Sequence, residues 1–211
     1  YRDLLADVRS ILGSGTKIGY AADWSEYHHT EGGWHHLDPL WAAPEIDFIG
    51  IDAYFPLTNT SDLRDAIKAI PNSWEGGEGY EYYYNHEGKK LPISPSQAWK
   101  NLAYWWSNTH INPDGKTTSW QPKSKPVWFT ECGFPSVNGA SNQPNLFYDP
   151  NSSESGLPKH STGAVDFSWQ YQAIKATAQY WNNSEMVEKI FWWTWDARPF
   201  PTWPERNDIW K

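Results

Sequence analysis

The sequence is poor in the residues that build disulfides, cysteine-based zinc sites and membrane spans. Cys132 is the one cysteine among 211 residues, so it can form no internal disulfide and leaves no CxxC pair for structural zinc. No stretch approaches the roughly 18 to 20 consecutive apolar residues that a spanning helix requires. The N-terminal residues have the pattern of a helix rather than of a signal peptide. We therefore expect a single domain over residues 1–211 with a hydrophobic core and no membrane span.

Basic residues are scarce as well. The chain has 17 Lys and Arg against 25 Asp and Glu, which gives a net charge of −8. Because phosphate binding needs a basic surface, nucleic acid is excluded as a partner. No GxGxxG or GxxxxGK[ST] follows a predicted strand, which disfavours a nucleotide-binding open sheet.

Aromatic residues, in contrast, are abundant. The chain has 16 Trp, 12 Tyr and 8 Phe, together 17% of its residues. Aromatic rings with a polar edge suit sugars, which combine an apolar face with a rim of hydroxyls, but rings also fill hydrophobic cores. A sugar-binding surface and ordinary core packing therefore both remain open, and the tyrosine run at residues 80–84 allows either.

Hydrophobic periodicity predicts an alternation of helices and strands. Apolar residues at helical spacing predict helices over residues 1–12, 63–70, 96–107 and 167–181. Runs of β-branched and aromatic residues predict strands over residues 17–23, 46–54, 125–131 and 187–196. No clear helix is predicted between the first two strands. The order is typical of an α/β fold with a parallel sheet, either a (β/α)8 barrel or an open doubly wound sheet.

The predicted strand ends carry the chemistry that the sequence offers. Long loops at residues 24–45, 72–95 and 133–163 lie at the end where βα proteins bind ligands. By alternation, Glu131 shares an inward face with Val127 and Phe129 and ends that strand at the mouth of the fold. Cys132 is expected to face the helices as a small hydrophobic residue.

Further polar and aromatic residues are expected at the same mouth. They are Asp23, Glu26, Asp52 and Tyr54, then either Trp195 or Asp196 from the last strand, whose inward face the sequence leaves open, and Arg198 just beyond it. Glycoside hydrolysis needs such a set, because one carboxylic acid protonates the leaving oxygen while one carboxylate attacks or activates water. Strand-end carboxylates also serve as helix caps and loop ion pairs, and Asp52 is equally suited to bracing a loop, so this structural alternative stays open.

A histidine-rich stretch raises the question of metal binding. His28, His29, His35 and His36 have neither HExxH spacing nor a cysteine partner. We therefore expect no metal site there, and no cofactor.

Six segments, in order, resemble the glycoside-hydrolase-like TIM-barrel domain of gene transfer agent and phage-tail baseplate proteins. They are YAADWSEY (20–27), HLDPLW (36–41), IDFIGIDAYFPL (46–57), GGEGYEYYY (76–84), SKPVWFTECGFPSVNGASNQPN (124–145) and WTWDARPFPTWPERNDIW (193–210). The resemblance covers nearly the whole chain. More distantly, the Thr-Glu strand end resembles the seventh strand of retaining glycosidases. This likeness implies that Glu131 is the nucleophile, Tyr54 the strand-six aromatic beside it and Trp195 the strand-eight aromatic that floors the sugar site.

The chain departs from this family pattern at its start. It begins at what looks like helix four, so the strand-four glutamate that resembles an acid/base is absent. The expected fold is therefore the C-terminal half, about strands five to eight, of a (β/α)8 TIM barrel with long loops at its C-terminal face. Asp23 or Glu26 could replace the missing glutamate only if it lay within about 5 to 10 Å of Glu131.

The resemblance implies a retaining-type glycosidase that acts on bacterial envelope polysaccharide. It would be made in the bacterial cytoplasm and built into a phage-tail-like particle with other tail or baseplate segments. The alternative is a catalytically inactive glycan-binding or structural baseplate module. Because a half barrel exposes two sheet edges and an apolar inner face, we expect it to dimerise, swap or aggregate when alone.

Overall fold

The computed structural model describes residues 1–30, 33–148, 153 and 155–193. The helices are α1 (Arg2–Leu12), α2 (Asp38–Trp41), α3 (Leu63–Ala69), α4 (Leu102–Ser107) and α5 (Phe167–Trp181), with a 3-10 helix at Ile70–Glu75 after α3. The strands are β1 (Gly19–Asp23), β2 (His29–Thr30), β3 (Gly33–Trp34), β4 (Phe48–Asp52), β5 (Tyr82–Tyr84), β6 (Lys90–Pro92), β7 (Val127–Cys132) and β8 (Val187–Trp192). No helix among these residues is long and apolar enough to cross a membrane.

Four strands form one parallel sheet in the order β1-β4-β7-β8. These are the four strands that the sequence predicts, and they lie side by side in chain order with helices in the connections. The prediction of a mixed α/β fold with a parallel sheet is therefore confirmed. The remaining strands form two small antiparallel hairpins, β2-β3 and β5-β6, in the loops.

The hydrophobic core covers one face of this sheet. Phe129 packs against Trp74 and Trp181, with ring centroids 6.0 and 5.4 Å apart, and Val127 belongs to the same buried cluster. Val127 and Phe129 thus face the helices. The expectation that they point inward with Glu131 is wrong, because burial against the tryptophans of the helical layer decides the orientation of this strand.

The opposite face carries a smaller aromatic pair. Phe48 and Trp128 stack with centroids 3.8 Å apart and ring planes 13° from parallel. A Cβ on Gly19 would lie 2.2 Å from the Phe48 ring, so glycine is needed on β1 for the neighbouring ring to fit. Strand alternation therefore gives both faces of the sheet apolar contacts.

A β-bulge in β7 changes the alternation near its end. The register between β4 and β7 shifts after Ile51, so that Asp52 pairs with Glu131 and Thr130 is the extra residue. Both Thr130 and Glu131 then reach the side of the sheet where Asp52 lies, while Cys132 returns to the core and is fully buried. The expectation that Cys132 packs among the helices is confirmed.

The helices follow the predicted pattern with local differences. α1 ends before Gly13, whose φ of +67° is accessible to glycine, and α5 has the predicted bounds. α4 begins later than expected because the Asn101 side chain caps it by accepting from the Tyr104 amide. Two expectations are wrong: α2 occupies the stretch where no helix is expected, and residues 72–95 include a hairpin rather than one long loop.

Candidate active site

Three carboxylate residues line the C-terminal edge of the parallel sheet, and we call them the carboxylate row (Asp23, Asp52 and Glu131). Asp23 is paired with Asp52 between β1 and β4, and Asp52 with Glu131 between β4 and β7. Because neighbouring strands lie about 4.8 Å apart, the three positions follow one another across the strand ends. This is the edge at which parallel α/β proteins bind ligands.

Tyr54 contacts the carboxylate of Glu131 directly. The Tyr54 hydroxyl donates a hydrogen bond of 2.8 Å to Oε2 of Glu131. The backbone is fixed beside it, because the Ala53 amide donates to the Glu131 carbonyl at 2.6 Å. Burial, followed by the hydrogen bond to Glu131, raises the pKa of the Tyr54 phenol well above its usual value. The phenol therefore stays protonated and able to donate.

Asp52 is held beside Glu131 by the bulged residue. Thr130 donates from its hydroxyl to Oδ1 of Asp52 at 2.8 Å. Burial raises the pKa of the Asp52 carboxyl; the hydrogen bond from Thr130 opposes this rise, and the charges of Glu131 and Asp23 add to it. Asp52 thus holds a proton more readily than an exposed aspartate does, in an orientation fixed by Thr130.

Asp23 and Glu26 are placed differently from each other. Asp23 is exposed, and its Oδ1 accepts from the Ser25 amide at 2.8 Å and the Ser25 hydroxyl at 2.6 Å. This local turn starts the loop after β1. Glu26 is also exposed, and within the described part of the chain no hydrogen bond or ion pair joins it to Glu131. Strand pairing thus brings Asp23 into the carboxylate row, whereas Glu26 lies in the loop beyond it.

The chain after Glu131 packs tightly against the end of β8. The Trp193 amide donates to the Cys132 carbonyl at 2.8 Å. A Cβ on Gly133 would lie 2.0 Å from the Trp193 carbonyl oxygen. Because no real Cβ comes that close to an oxygen, only glycine fits, and the ends of β7 and β8 are fixed to each other.

Exposed aromatic rings lie at the end of β8. The exposed fractions are 49% for Phe191, 38% for Trp192 and 59% for Trp193. Rings with this exposure are available to stack on a ligand. The last three candidates from the sequence, Trp195, Asp196 and Arg198, lie outside the described residues.

A buried lysine fixes the loops around the site. The residue Lys100 is only 1% exposed. Its ammonium donates hydrogen bonds to the carbonyls of Pro56 and Gly76, both at 2.8 Å. Burial lowers the pKa of Lys100 to about 7, although the charges of Glu78 and Glu81 act in the opposite direction. Lys100 thus joins the segment after β4 to the loop that precedes β5.

Asn142 makes a second connection between loops. Its Oδ1 accepts from the Thr58 hydroxyl at 2.6 Å, and its Nδ2 donates to the carbonyls of Thr60 and Lys159 at 2.8 and 2.6 Å. The loop segments that Lys100 and Asn142 connect border a cleft of about 290 Å³, which is lined in part by residues 56–59, 76–78 and Tyr82. Tyr82 thus places one of the aromatic rings at the border of this cleft.

Comparison with known proteins identifies the family. A family model described as the GTA TIM-barrel-like domain matches residues 1–204. The chain belongs to this family. No curated protein matches the sequence of this GTA TIM-barrel-like domain. Among solved structures, a complex structure of a GH113 beta-1,4-mannanase is similar to it with 16% sequence identity and a TM-score of 0.47, covering 92% of this chain. The chain spans 39% of the length of that protein.

Two residues that shape the site of this GTA TIM-barrel-like domain have no clear signal in the sequence. Thr130 reads as an ordinary strand residue, and its importance depends on the bulge. Lys100 lies within the helix predicted over residues 96–107, where a lysine is expected to be exposed. The glycine-rich GGEG segment at residues 76–79 does indicate a loop, but not which residue holds it. Both depend on contacts with distant parts of the chain.

The histidines of the loop after β1 have distinct surroundings. His36 is exposed, and His29 stacks on a tryptophan with centroids 4.7 Å apart. His28 and His35 are buried, and burial lowers their pKa values to about 3 and about 4. Their imidazoles are therefore neutral at neutral pH.

Proposed function

We propose that this GTA TIM-barrel-like domain is a retaining-type glycosidase module that acts on bacterial envelope polysaccharide as part of a phage-tail-like or gene transfer agent baseplate. One observation carries the proposal, the 2.8 Å hydrogen bond from Tyr54 to Glu131 at the ends of adjacent parallel strands. The family match supports the gene transfer agent setting. In this setting the protein is made in the bacterial cytoplasm and becomes part of the particle.

Glu131 is the proposed nucleophile. In a retaining reaction its carboxylate attacks the anomeric carbon while a carboxylic acid protonates the departing glycosidic oxygen, and water then hydrolyses the glycosyl-enzyme ester. The Tyr54 hydroxyl bonds to Oε2, which orients the carboxylate and leaves its other oxygen for the attack.

The proposed proton donor is the glutamate that the family resemblance implies at the end of the fourth barrel strand, in a segment before residue 1. Strands β1, β4, β7 and β8 then correspond to barrel strands five to eight, and the carboxylate row forms one side of the mouth. Of the described carboxyls, Asp52 suits the donor role better than Asp23 or Glu26, because burial raises its pKa and its strand adjoins that of Glu131.

The other candidates are proposed to bind substrate. Asp52 and Asp23 offer carboxylate oxygens to sugar hydroxyls along the strand ends, and the exposed rings of Trp192 and Trp193 offer faces for stacking. Trp195, Asp196 and Arg198 are proposed substrate-binding residues on the sequence alone, since they lie outside the described residues.

A glycan-binding or structural baseplate module without turnover is the second candidate. The observation that favours it is the arrangement of the carboxylate row, because Asp23 and Asp52 lie along the same sheet edge as Glu131. A retaining pair, in contrast, faces the scissile bond from two sides about 5 to 5.5 Å apart. In this second candidate, the carboxylate row and the aromatic rings beside it bind sugar without cleaving it.

The test is cleavage of purified cell-wall and capsular glycan by the complete protein that carries this domain, measured as new reducing ends. Glu131→Gln removes the nucleophile while keeping the size of the side chain, and we expect a loss of roughly 10³-fold or more in turnover. Glu87→Gln, in the exposed turn between β5 and β6, is the control and should keep full activity. Undiminished cleavage by the Glu131 variant would refute the assignment. Glycan binding without hydrolysis, unchanged by Glu131→Gln, would support the second candidate.

A further inference from the structure

A second cluster of ionisable side chains shares no residue with the carboxylate row. His35 lies just before α2, Asp38 is the first residue of that helix, and His110 follows α4. The three residues are buried, with exposed fractions of 6%, 1% and 3%. One possible ligand atom from each lies within 4.8 Å of the other two. The fold thus gathers two imidazoles and a carboxylate in its interior.

Hydrogen bonds hold His110 and Asp38 in place. Nε2 of His110 lies 2.7 Å from the Trp105 carbonyl, and Nδ1 lies 2.8 Å from Oδ2 of Asp38. The Thr118 hydroxyl donates to the same Asp38 oxygen at 2.5 Å. When a backbone carbonyl accepts a hydrogen bond from one ring nitrogen, it fixes the tautomer and the orientation of the imidazole. Metal-binding histidines usually have such a hydrogen bond on the nitrogen that does not bind the metal.

Two polar atoms of the cluster are unpaired. Oδ1 of Asp38 and Nδ1 of His35 are buried, and neither has a hydrogen-bond partner within the part of the chain that the structure describes. Such an atom costs about 1 to 3 kcal/mol, and native proteins satisfy nearly all of them. A carboxylate oxygen and an imidazole nitrogen both supply electron pairs. Their shared environment therefore suits a cation.

We propose that His35, Asp38 and His110 bind a divalent transition-metal ion, and that Zn²⁺ fits them best. Two imidazole nitrogens and one carboxylate oxygen form a donor set that zinc accepts. The ion takes the place of the proton between His110 and Asp38, so binding releases that proton to solvent. Sequence spacing does not predict this site, because two of its three ligands, Asp38 and His110, lie outside the histidine-rich stretch.

Closure of the site requires a movement of His35. Ligand atoms around a tetrahedral zinc ion lie about 3.3 Å apart, closer than the 4.8 Å limit that contains the three atoms here. His35 stacks on His110 with centroids 4.2 Å apart and planes 11° from parallel, and parallel rings cannot direct two nitrogens at one ion. Rotation of His35, whose Nδ1 is not held by a hydrogen bond, brings the ligands together.

The ion would hold separate segments together. It would join two parts of the chain: the loop after β1 with the start of α2, and the segment after α4. These two parts already contact each other through the side chains of Asp38 and His110, which are 72 residues apart in the chain. Because the ligands are buried, the role is structural, and metal binding adds to the stability of the folded chain.

The test uses the full chain without a histidine tag, stripped with a chelator and then titrated with ZnCl₂. We expect one Zn²⁺ per chain by calorimetry and elemental analysis, and a higher Tm with zinc than without it. Crystals grown with zinc should show an anomalous scattering peak among His35, Asp38 and His110. Failure to bind one ion per chain, or a peak elsewhere, overturns the proposal.

A matched pair of variants separates this site from surface histidines. His35→Asn removes an imidazole ligand at a position with φ of +47°, a conformation that asparagine tolerates. His36→Asn changes the adjacent, exposed histidine and is the control. We expect His35→Asn to weaken zinc binding by about 10- to 100-fold or more and His36→Asn to leave it unchanged. Equal affinity in both variants, or a loss confined to His36→Asn, refutes the site.

Discussion

The hydroxyl of Tyr54 and the carboxylate of Glu131 meet at 2.8 Å across β4 and β7, although the two residues are 77 positions apart in the chain. Their contact depends on the bulge at Thr130. Without it, strict alternation would turn Glu131 toward the helices, on the face of Val127 and Phe129. One extra residue in β7 thus creates the candidate active site.

Removal of the Tyr54 hydroxyl should reduce turnover more than stability. Tyr54→Phe keeps the ring but removes the hydrogen bond to the Glu131 carboxylate. Hydrogen bonds to charged groups contribute about 1.5 to 3 kcal/mol, so we expect kcat on glycan to fall roughly 10- to 100-fold. The measurement is steady-state hydrolysis by the complete protein, with urea unfolding as the check on stability. A variant with wild-type kcat would show that the contact does not serve catalysis.

Alanine at Gly133 should destabilise the fold. Its Cβ would lie 2.0 Å from the Trp193 carbonyl oxygen, so the end of β7 or β8 must move. We expect Gly133→Ala to lower the free energy of unfolding by about 2 to 4 kcal/mol in urea titrations. Gly15→Ala is the control, because a Cβ at Gly15 has open space and the change should stay within about 1 kcal/mol. Equal effects from the two substitutions would contradict the packing described at Gly133.

Lys100 should make stability depend on alkaline pH. Burial lowers its pKa to about 7 in the folded chain, against an ordinary value of 10.5. Between these two values the unfolded chain binds more protons, so the contribution of Lys100 to stability is lowest below pH 7 and rises toward pH 10.5. Lys100→Met lacks this rise and also leaves the Pro56 and Gly76 carbonyls unpaired.

The measurement compares the free energy of unfolding of wild type and Lys100→Met at pH 7 and pH 9.5. The difference in free energy of unfolding, wild type minus Lys100→Met, should increase with pH by at most about 1.4 kcal/mol per pH unit. Lys89→Met, at an exposed position in the turn between β5 and β6, should show no such trend. A difference in free energy of unfolding that stays constant or decreases with pH would argue against a buried ammonium at Lys100.

Cys132 should be inert in the folded protein. Its side chain is fully buried in the core, and burial raises its pKa to about 12. Since the thiolate is the reactive form, we expect a thiol reagent such as DTNB to label no cysteine in the native chain and one per chain in denaturant. Rapid labelling of the native chain would mean that the end of β7 opens to solvent.

Local patterns in the sequence account for much of the fold. The four parallel strands and α5 follow from hydrophobic spacing, and the position of Glu131 at a strand end follows from the residues around it. The orientation of Val127 and Phe129 was predicted wrongly, because alternation shows which residues share a face but not which face meets the helices. That choice depends on Trp74 and Trp181, which come from other elements.

The sequence by itself determined the α/β class, the order of the strands and the family to which the chain belongs, because periodicity and short motifs are properties of neighbouring residues. The tertiary structure decided the bulge at Thr130, the burial of Lys100 and the meeting of Asp38 with His110. Each of these depends on contacts between distant segments. A shift of one residue in strand register turns a side chain from one face of the sheet to the other, and only the packed sheet fixes that register.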